Sequence, residues 1–147
     1  MDIAEEGQAV AHDDTLHRFV KASEDYLEYD HDDARWVPTK RAFKRDANGI
    51  SAYSARVLES GGLTPSDVAR DQQDAVFGMA MTRVTGCGLK AVHEPLLPAS
   101  RVVDPAHSLI QGKLNMKPSS TERDELRAAA IHSSGLLPPP PARFVSG

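Results

Sequence analysis

DAVFGMAMTRV, residues 74–84, is the stretch on which the fold class turns. Read at period two, Val76, Gly78, Ala80, Thr82 and Val84 face one way and Phe77, Met79, Met81 and Arg83 the other. That is the alternation of a strand whose first face is small enough for a helix to pack closely on it. A run this short also fits a buried helix, because periodicity alone does not separate the two. Taken as a strand, it anchors a sheet to which the segments on either side add.

Working outward, TGCGL breaks the run and LKAVHE reads as a second strand that stops at Pro95. EPLLPASRVVDPAH holds three prolines and is irregular, and SLIQGKLNM follows as a third, extended segment. SSTERDELRAAAIHSSG carries a capping box, Ser119 with Glu122, then Leu126, Ala129, Ala130 and Ser133 on one face and Gly135 as the stop, which defines a C-terminal helix. Upstream of residue 74, Thr64 caps a helix that begins at Pro65, with Asp67 three residues past the cap. SAYSARVLESGG is a brief helix ended by Gly61-Gly62, and Asn48-Gly49 is a turn dipeptide. Arg35 to Phe43 alternates like a strand or hairpin.

Between Asp13 and Tyr29 the apolar residues Leu16, Phe19, Val20, Tyr26 and Leu27 recur at three- and four-residue steps, with Lys21, Glu24, Asp25 and Glu28 opposite. This predicts an acidic amphipathic N-terminal helix with one buried face. The expected architecture is α+β: a small, mainly antiparallel sheet of three to four strands covered by helices. Residues 1–12 form a loose acidic tail, 13–135 a single domain, and 136–147, with the run LLPPPPAR, a Pro-rich extended tail.

The chain of 147 residues suits one core. Its net charge of −4 conceals an asymmetry: residues 1–33 carry eleven acids against Arg18 and Lys21, a net of −9, leaving +5 on residues 34–147. The sign changes abruptly at RWVPTKRAFKR, where Arg35, Lys40, Arg41, Lys44 and Arg45 alternate with Trp36 and Phe43. Such a stretch suits phosphate contacts with aromatic stacking, although a pI near 5.8 lies far below that of a dedicated nucleic-acid binder. No apolar run approaches the about twenty residues a membrane crossing needs, and the acidic start lacks a signal peptide's basic region, so a cytoplasmic chain without a membrane partner is expected.

Single Cys87 excludes an internal disulfide. The spacings of Cys87, His93 and His107 match no zinc signature, and the two HDD tripeptides, at 12–14 and 31–33, lie too far apart on the predicted helix to share an ion, so neither metal nor cofactor is expected. Glycine patterns for phosphate loops and the G-x-S-x-G elbow are missing. His107, at a loop-to-strand junction, is the best candidate acid or base, and Ser51, just after the Asn-Gly turn, the best nucleophile.

Two functions follow. The leading one is an accessory protein without catalysis of its own, binding another protein through Leu16, Phe19, Tyr26 and Leu27 on the acidic helix, with the Pro-rich tail as a second contact. The alternative is an enzyme or binder directed at nucleotide or RNA, with Arg41, Lys44, Arg45 and Trp36 holding phosphate and base and Ser51 and His107 supplying chemistry. Convergence of Arg41, Ser51 and His107 within about 8 Å would favour the second. A variant of these has residues 1–33 folding over the basic stretch in imitation of nucleic acid.

Overall fold

The computed structural model describes residues 4–21, 23–43, 48–70, 75–114 and 116–133. The chain is α+β, and its centre is a five-stranded antiparallel sheet built from β1 (Thr15–Val20), β4 (Ile50–Ser54), β5 (Ala75–Ala80), β6 (Lys90–His93) and β7 (His107–Gln111) in the order β5-β1-β4-β7-β6. A separate hairpin pairs β2 (Leu27–Asp30) with β3 (Arg35–Pro38). The helices are α1 (Ala55–Ser60), α2 (Met81–Gly86) and α3 (Ser120–Ser133), and single 3-10 turns lie at Lys40–Phe43, Pro65–Val68 and Asp104–Ala106.

The largest departure from expectation is at residues 13–29. The acidic helix is not formed: Thr15–Val20 is a strand, and Leu27 opens the hairpin after a turn at Ser23–Tyr26. Leu16 and Val20 satisfy a two-residue period as well as a helical one, and long-range pairing decides between them. β1 makes six registered pairs with β5, from Thr15↔Ala80 to Val20↔Ala75, and two with β4. A helix there would leave the edges of both neighbours unpaired. The sheet is therefore larger than the three to four strands expected.

At 74–84 both readings apply in succession: Ala75–Ala80 is the strand, and Met81 turns directly into α2. The helix predicted from Pro65 is only one 3-10 turn, with the Asp67 carboxylate accepting the Thr64 N–H at 2.7 Å. In α3 the capping box forms as predicted: the Glu122 carboxylate accepts the Ser119 N–H at 2.8 Å and Ser119 Oγ accepts the Glu122 N–H at 3.2 Å. Residues 7–10, within the segment expected to be a loose tail, run against the outer edge of β6, with Gly7 and Val10 N–H donating to His93 and Ala91 carbonyls. The Pro-rich tail, Lys44 and Arg45 lie outside the described residues.

Strand alternation sends side chains to two different layers. Leu16, Val20, Ile50, Ala52, Phe77, Met79, Ala91 and Ile110 face the larger core with α2, α3 and Phe43. Tyr53 and the partly buried Phe19 face a smaller one with Val57, Leu58, Val68, Val103 and Ala106. β4 and β7 are central and covered on both faces; of their ten residues only Ser51 is partly exposed.

Candidate functional site

Ser51 lies two residues past Gly49, and the turn there requires glycine: φ is +134°, and a Cβ would stand 2.6 Å from the Ile110 carbonyl oxygen. β4 then pairs with β7 in the register Ser51↔Leu109 and Tyr53↔His107, so Ser51, Tyr53 and His107 share one face. His107 is placed by the loop before it. The Asp104 carboxylate accepts the Ser100 and Arg101 N–H groups at 2.9 Å each, and its carbonyl accepts the Leu96 N–H at 3.0 Å. Pro105 sits in the 3-10 turn that delivers His107 to the strand.

The outcome is a three-residue relay. His107 Nε2 lies 3.0 Å from Ser51 Oγ. On the other side of the ring, Nδ1 lies 3.1 Å from the Glu94 carbonyl and 3.3 Å from Glu94 Oε1. A carbonyl only accepts, so Nδ1 carries the proton, Nε2 presents its lone pair, and the Ser51 hydroxyl donates to it. Glu94 is held in place by its own N–H, which donates to the His107 carbonyl at 2.8 Å. The Tyr53 ring meets the imidazole edge-on, centroids 5.4 Å apart and planes at 75°. His107 is only 5% exposed, and the relay meets solvent through Ser51 and the half-buried Glu94.

This arrangement has the parts of nucleophilic catalysis: a hydroxyl hydrogen-bonded to an imidazole, and a carboxylate placed to stabilise the imidazolium that forms when the proton moves. On the adjacent strand His17 pairs with Tyr53 and extends the row of rings. Gly78 lies beneath it, where a Cβ would stand 3.3 Å from the His17 ring. Burial pushes the His17 imidazole below its ordinary value, against the opposing charges of Asp14 and Glu59.

Of the residues singled out in the sequence, Ser51 and His107 are brought into contact. Arg41 is not part of that contact. It stands exposed on the 3-10 turn, 3.3 Å from the Asp25 carboxylate, and lines a cleft of about 150 Å³ with Arg18, Phe19, Val20, Lys21, Tyr26 and Ala42. Trp36 belongs to the β2–β3 hairpin, edge-on to Tyr29 at 5.4 Å. The stripe expected to meet a protein partner is used internally: Leu16 and Leu27 are 0% and 2% exposed, Tyr26 packs against the same core, and Phe19 lies in the smaller one.

Among the described residues no group of three or more His, Cys, Asp or Glu side chains is disposed to hold a metal ion. Cys87 sits at the C-terminus of α2, where burial pushes its thiol up. His93 points to the opposite face from His107, with Nδ1 buried and, among the described residues, without a hydrogen-bond partner. Glu94 was missed in the sequence; its position immediately after a strand, one residue beyond His93, was the available signal.

No protein-family model matches the chain, and no curated protein or solved structure matches it.

Proposed function

We propose that the protein is a serine-dependent esterase-type enzyme in which Ser51 is the nucleophile, His107 the general base and Glu94 the group that orients and stabilises the imidazole. The observation that carries this is the 3.0 Å contact of Ser51 Oγ with His107 Nε2, its tautomer fixed by Glu94 on the far nitrogen. Ser51 Oγ attacks the ester centre as its proton passes to Nε2. The protonated imidazole then returns that proton to the departing oxygen, and water repeats the cycle to release the enzyme. The substrate carries a phosphate group, of the nucleotide class. The cleft containing Arg41 and Lys21 supplies cationic groups for it, and Tyr26 and Phe19 supply rings.

The test is labelling by a fluorophosphonate probe, together with hydrolysis of p-nitrophenyl acetate and bis(p-nitrophenyl) phosphate. Labelling that maps to Ser51, disappears in Ser51→Ala and His107→Ala and falls by about tenfold or more in Glu94→Gln is expected. An unlabelled wild-type protein that also hydrolyses neither ester overturns the proposal.

Binding to another protein without catalysis is the second reading. With the N-terminal helix gone, the feature that supports it is the tip of the β2–β3 hairpin, where His31, Asp32 and Asp33 are exposed beside Tyr29 at 40%. Aromatic residues are enriched at protein contacts. A partner captured by the wild type and lost when residues 30–33 are replaced by Gly and Ser supports it; capture indifferent to that change removes it.

A further inference from the structure

The β1–β4 ladder ends early. Its registered pairs are Leu16↔Ser54 and His17↔Tyr53, whereas on its other edge β1 stays paired with β5 through Val20. Beyond Tyr53 the two strands part, and the Ser51 carbonyl, which faces β1, is left without a strand donor from it. Arg18 fills that gap: its Nη1 donates to the Ser51 carbonyl at 2.6 Å and its Nε to the Ala42 carbonyl at 2.9 Å. A planar guanidinium reaches both acceptors with fixed geometry, which a single ammonium cannot reproduce. The bond is short and charge-assisted, and it is made to the backbone of the one partly exposed residue in the two central strands.

We infer that Arg18 is the positioning residue of the site: it clamps the Ser51 backbone between β1 and the 3-10 turn at Lys40–Phe43, and so fixes the Ser51 hydroxyl on His107 Nε2. The inference rests on Ser51 acting as the nucleophile. Small displacements of a nucleophile are costly in rate, because the reacting atoms must be held near contact distance. Arg18 acts on the Ser51 backbone carbonyl, so its loss lowers kcat through the placement of Ser51.

The experiment uses Arg18→Ala and Arg18→Lys in the full chain, each checked by thermal denaturation. Expected for Arg18→Ala is a fall in kcat of about tenfold to a hundredfold with KM within about twofold, an unchanged pH midpoint, and partial recovery when guanidinium at millimolar concentration is supplied. Arg18→Lys keeps the charge but not the fork and is expected to fall nearly as far. Independently of turnover, the ¹⁵N resonance of His107 Nε2 is expected to shift toward that of an imidazole nitrogen accepting no hydrogen bond. Wild-type kcat and an unmoved Nε2 resonance in a folded Arg18→Ala protein overturn the inference while leaving Ser51 as nucleophile. Should the variant fail to fold, the Arg18→Lys protein decides by the same two readouts. Wild-type protein that shows neither labelling nor turnover overturns the nucleophile assignment, and the Arg18 inference with it.

Discussion

Replacing Gly49 by alanine tests how the turn before Ser51 holds the central strands. The new Cβ would lie 2.6 Å from the Ile110 carbonyl oxygen, about 0.7 Å inside the closest comfortable carbon–oxygen approach of roughly 3.3 Å. The obstacle is backbone, in the strand that pairs with β4, so the pairs Ile50↔Ile110 and Ser51↔Leu109 must separate to admit it. The φ of +134° adds strain of about 1–2 kcal/mol for a residue with a side chain, and a weakened ladder bond about 1 kcal/mol more. A cost of about 3 kcal/mol lowers Tm by about 12 °C in a domain of this size. Gly62 is the control: its φ is +73° but, among the described residues, nothing lies within 4 Å of where its Cβ would stand, so Gly62→Ala carries the backbone strain alone. That strain is about 1 kcal/mol and lowers Tm by about 4 °C. Melting of both variants followed by circular dichroism measures the difference. A Gly49→Ala protein that melts with Gly62→Ala would refute the steric account of the turn.

Three further outcomes follow from buried or capped polar groups. The His17 and His93 imidazoles are both pushed below the ordinary value of 6.5, mainly by burial, so the unfolded chain binds more protons than the fold. Stability is therefore full above about pH 6.5 and falls as pH drops toward the folded-state values; Tm measured from pH 8 to 5 should decline, and His93→Gln should flatten that decline. The Glu122 carboxyl is held below its ordinary value by the N–H groups of Ser119 and Lys113, and its contribution is lost only as pH falls below 4.5 through the folded-state value. Glu122→Ala is expected to cost about 1 kcal/mol at pH 7 by urea denaturation, and an unchanged midpoint would remove the cap from the account. Asp14, buried, accepts from Thr15 N–H at 2.7 Å, Ser54 Oγ at 2.6 Å and Arg56 N–H at 3.2 Å, tying β1 to the start of α1. Asp14→Ala strands these donors and should cost about 2–3 kcal/mol in the same assay, with Asp14→Asn intermediate.

What the sequence disclosed, and what it withheld, divides by range. The turn at Asn48-Gly49, the capping box at Ser119 and Glu122, and the strands at 75–80, 90–93 and 107–111 depend on residues close in the chain, and local chemistry was enough to read them. Residues 13–29 were not decided locally. Leu16, Val20 and Leu27 satisfy a helical step and a strand alternation alike, and what separates the two is pairing with Tyr53–Ser54 and Ala75–Ala80, tens of residues away. The site splits in the same manner. Ser51 and His107 were picked out by their residue types and by flanking turn signals, but that they face each other depends on the β4–β7 register. Glu94 and Arg18 have meaning only through registers: β6 against β7 carries Glu94 to His107, and the early end of the β1–β4 ladder brings Arg18 to the Ser51 carbonyl.

A hydrogen-bonded serine and histidine can brace a sheet as readily as they can activate a nucleophile, so the surroundings of the pair carry the weight. A purely architectural pair gains nothing from solvent, and burial of both partners would strengthen it. Here the imidazole is closed off between Tyr53 and Glu94 while Ser51 is partly exposed, in strands whose other nine residues are buried. Both Glu94 oxygens near Nδ1 are acceptors, which turns Nε2 toward the serine hydroxyl in a brace and in a base alike. The Glu94 carboxylate, partly exposed, adds little to sheet stability, where ion pairs are worth about 0–1 kcal/mol, but it lies 3.3 Å from Nδ1, beside the charge an imidazolium would carry during proton transfer. The partial exposure of Ser51 and the carboxylate beside the imidazole are idle in a brace and useful in a base, and these two features support catalysis at Ser51 over architecture alone.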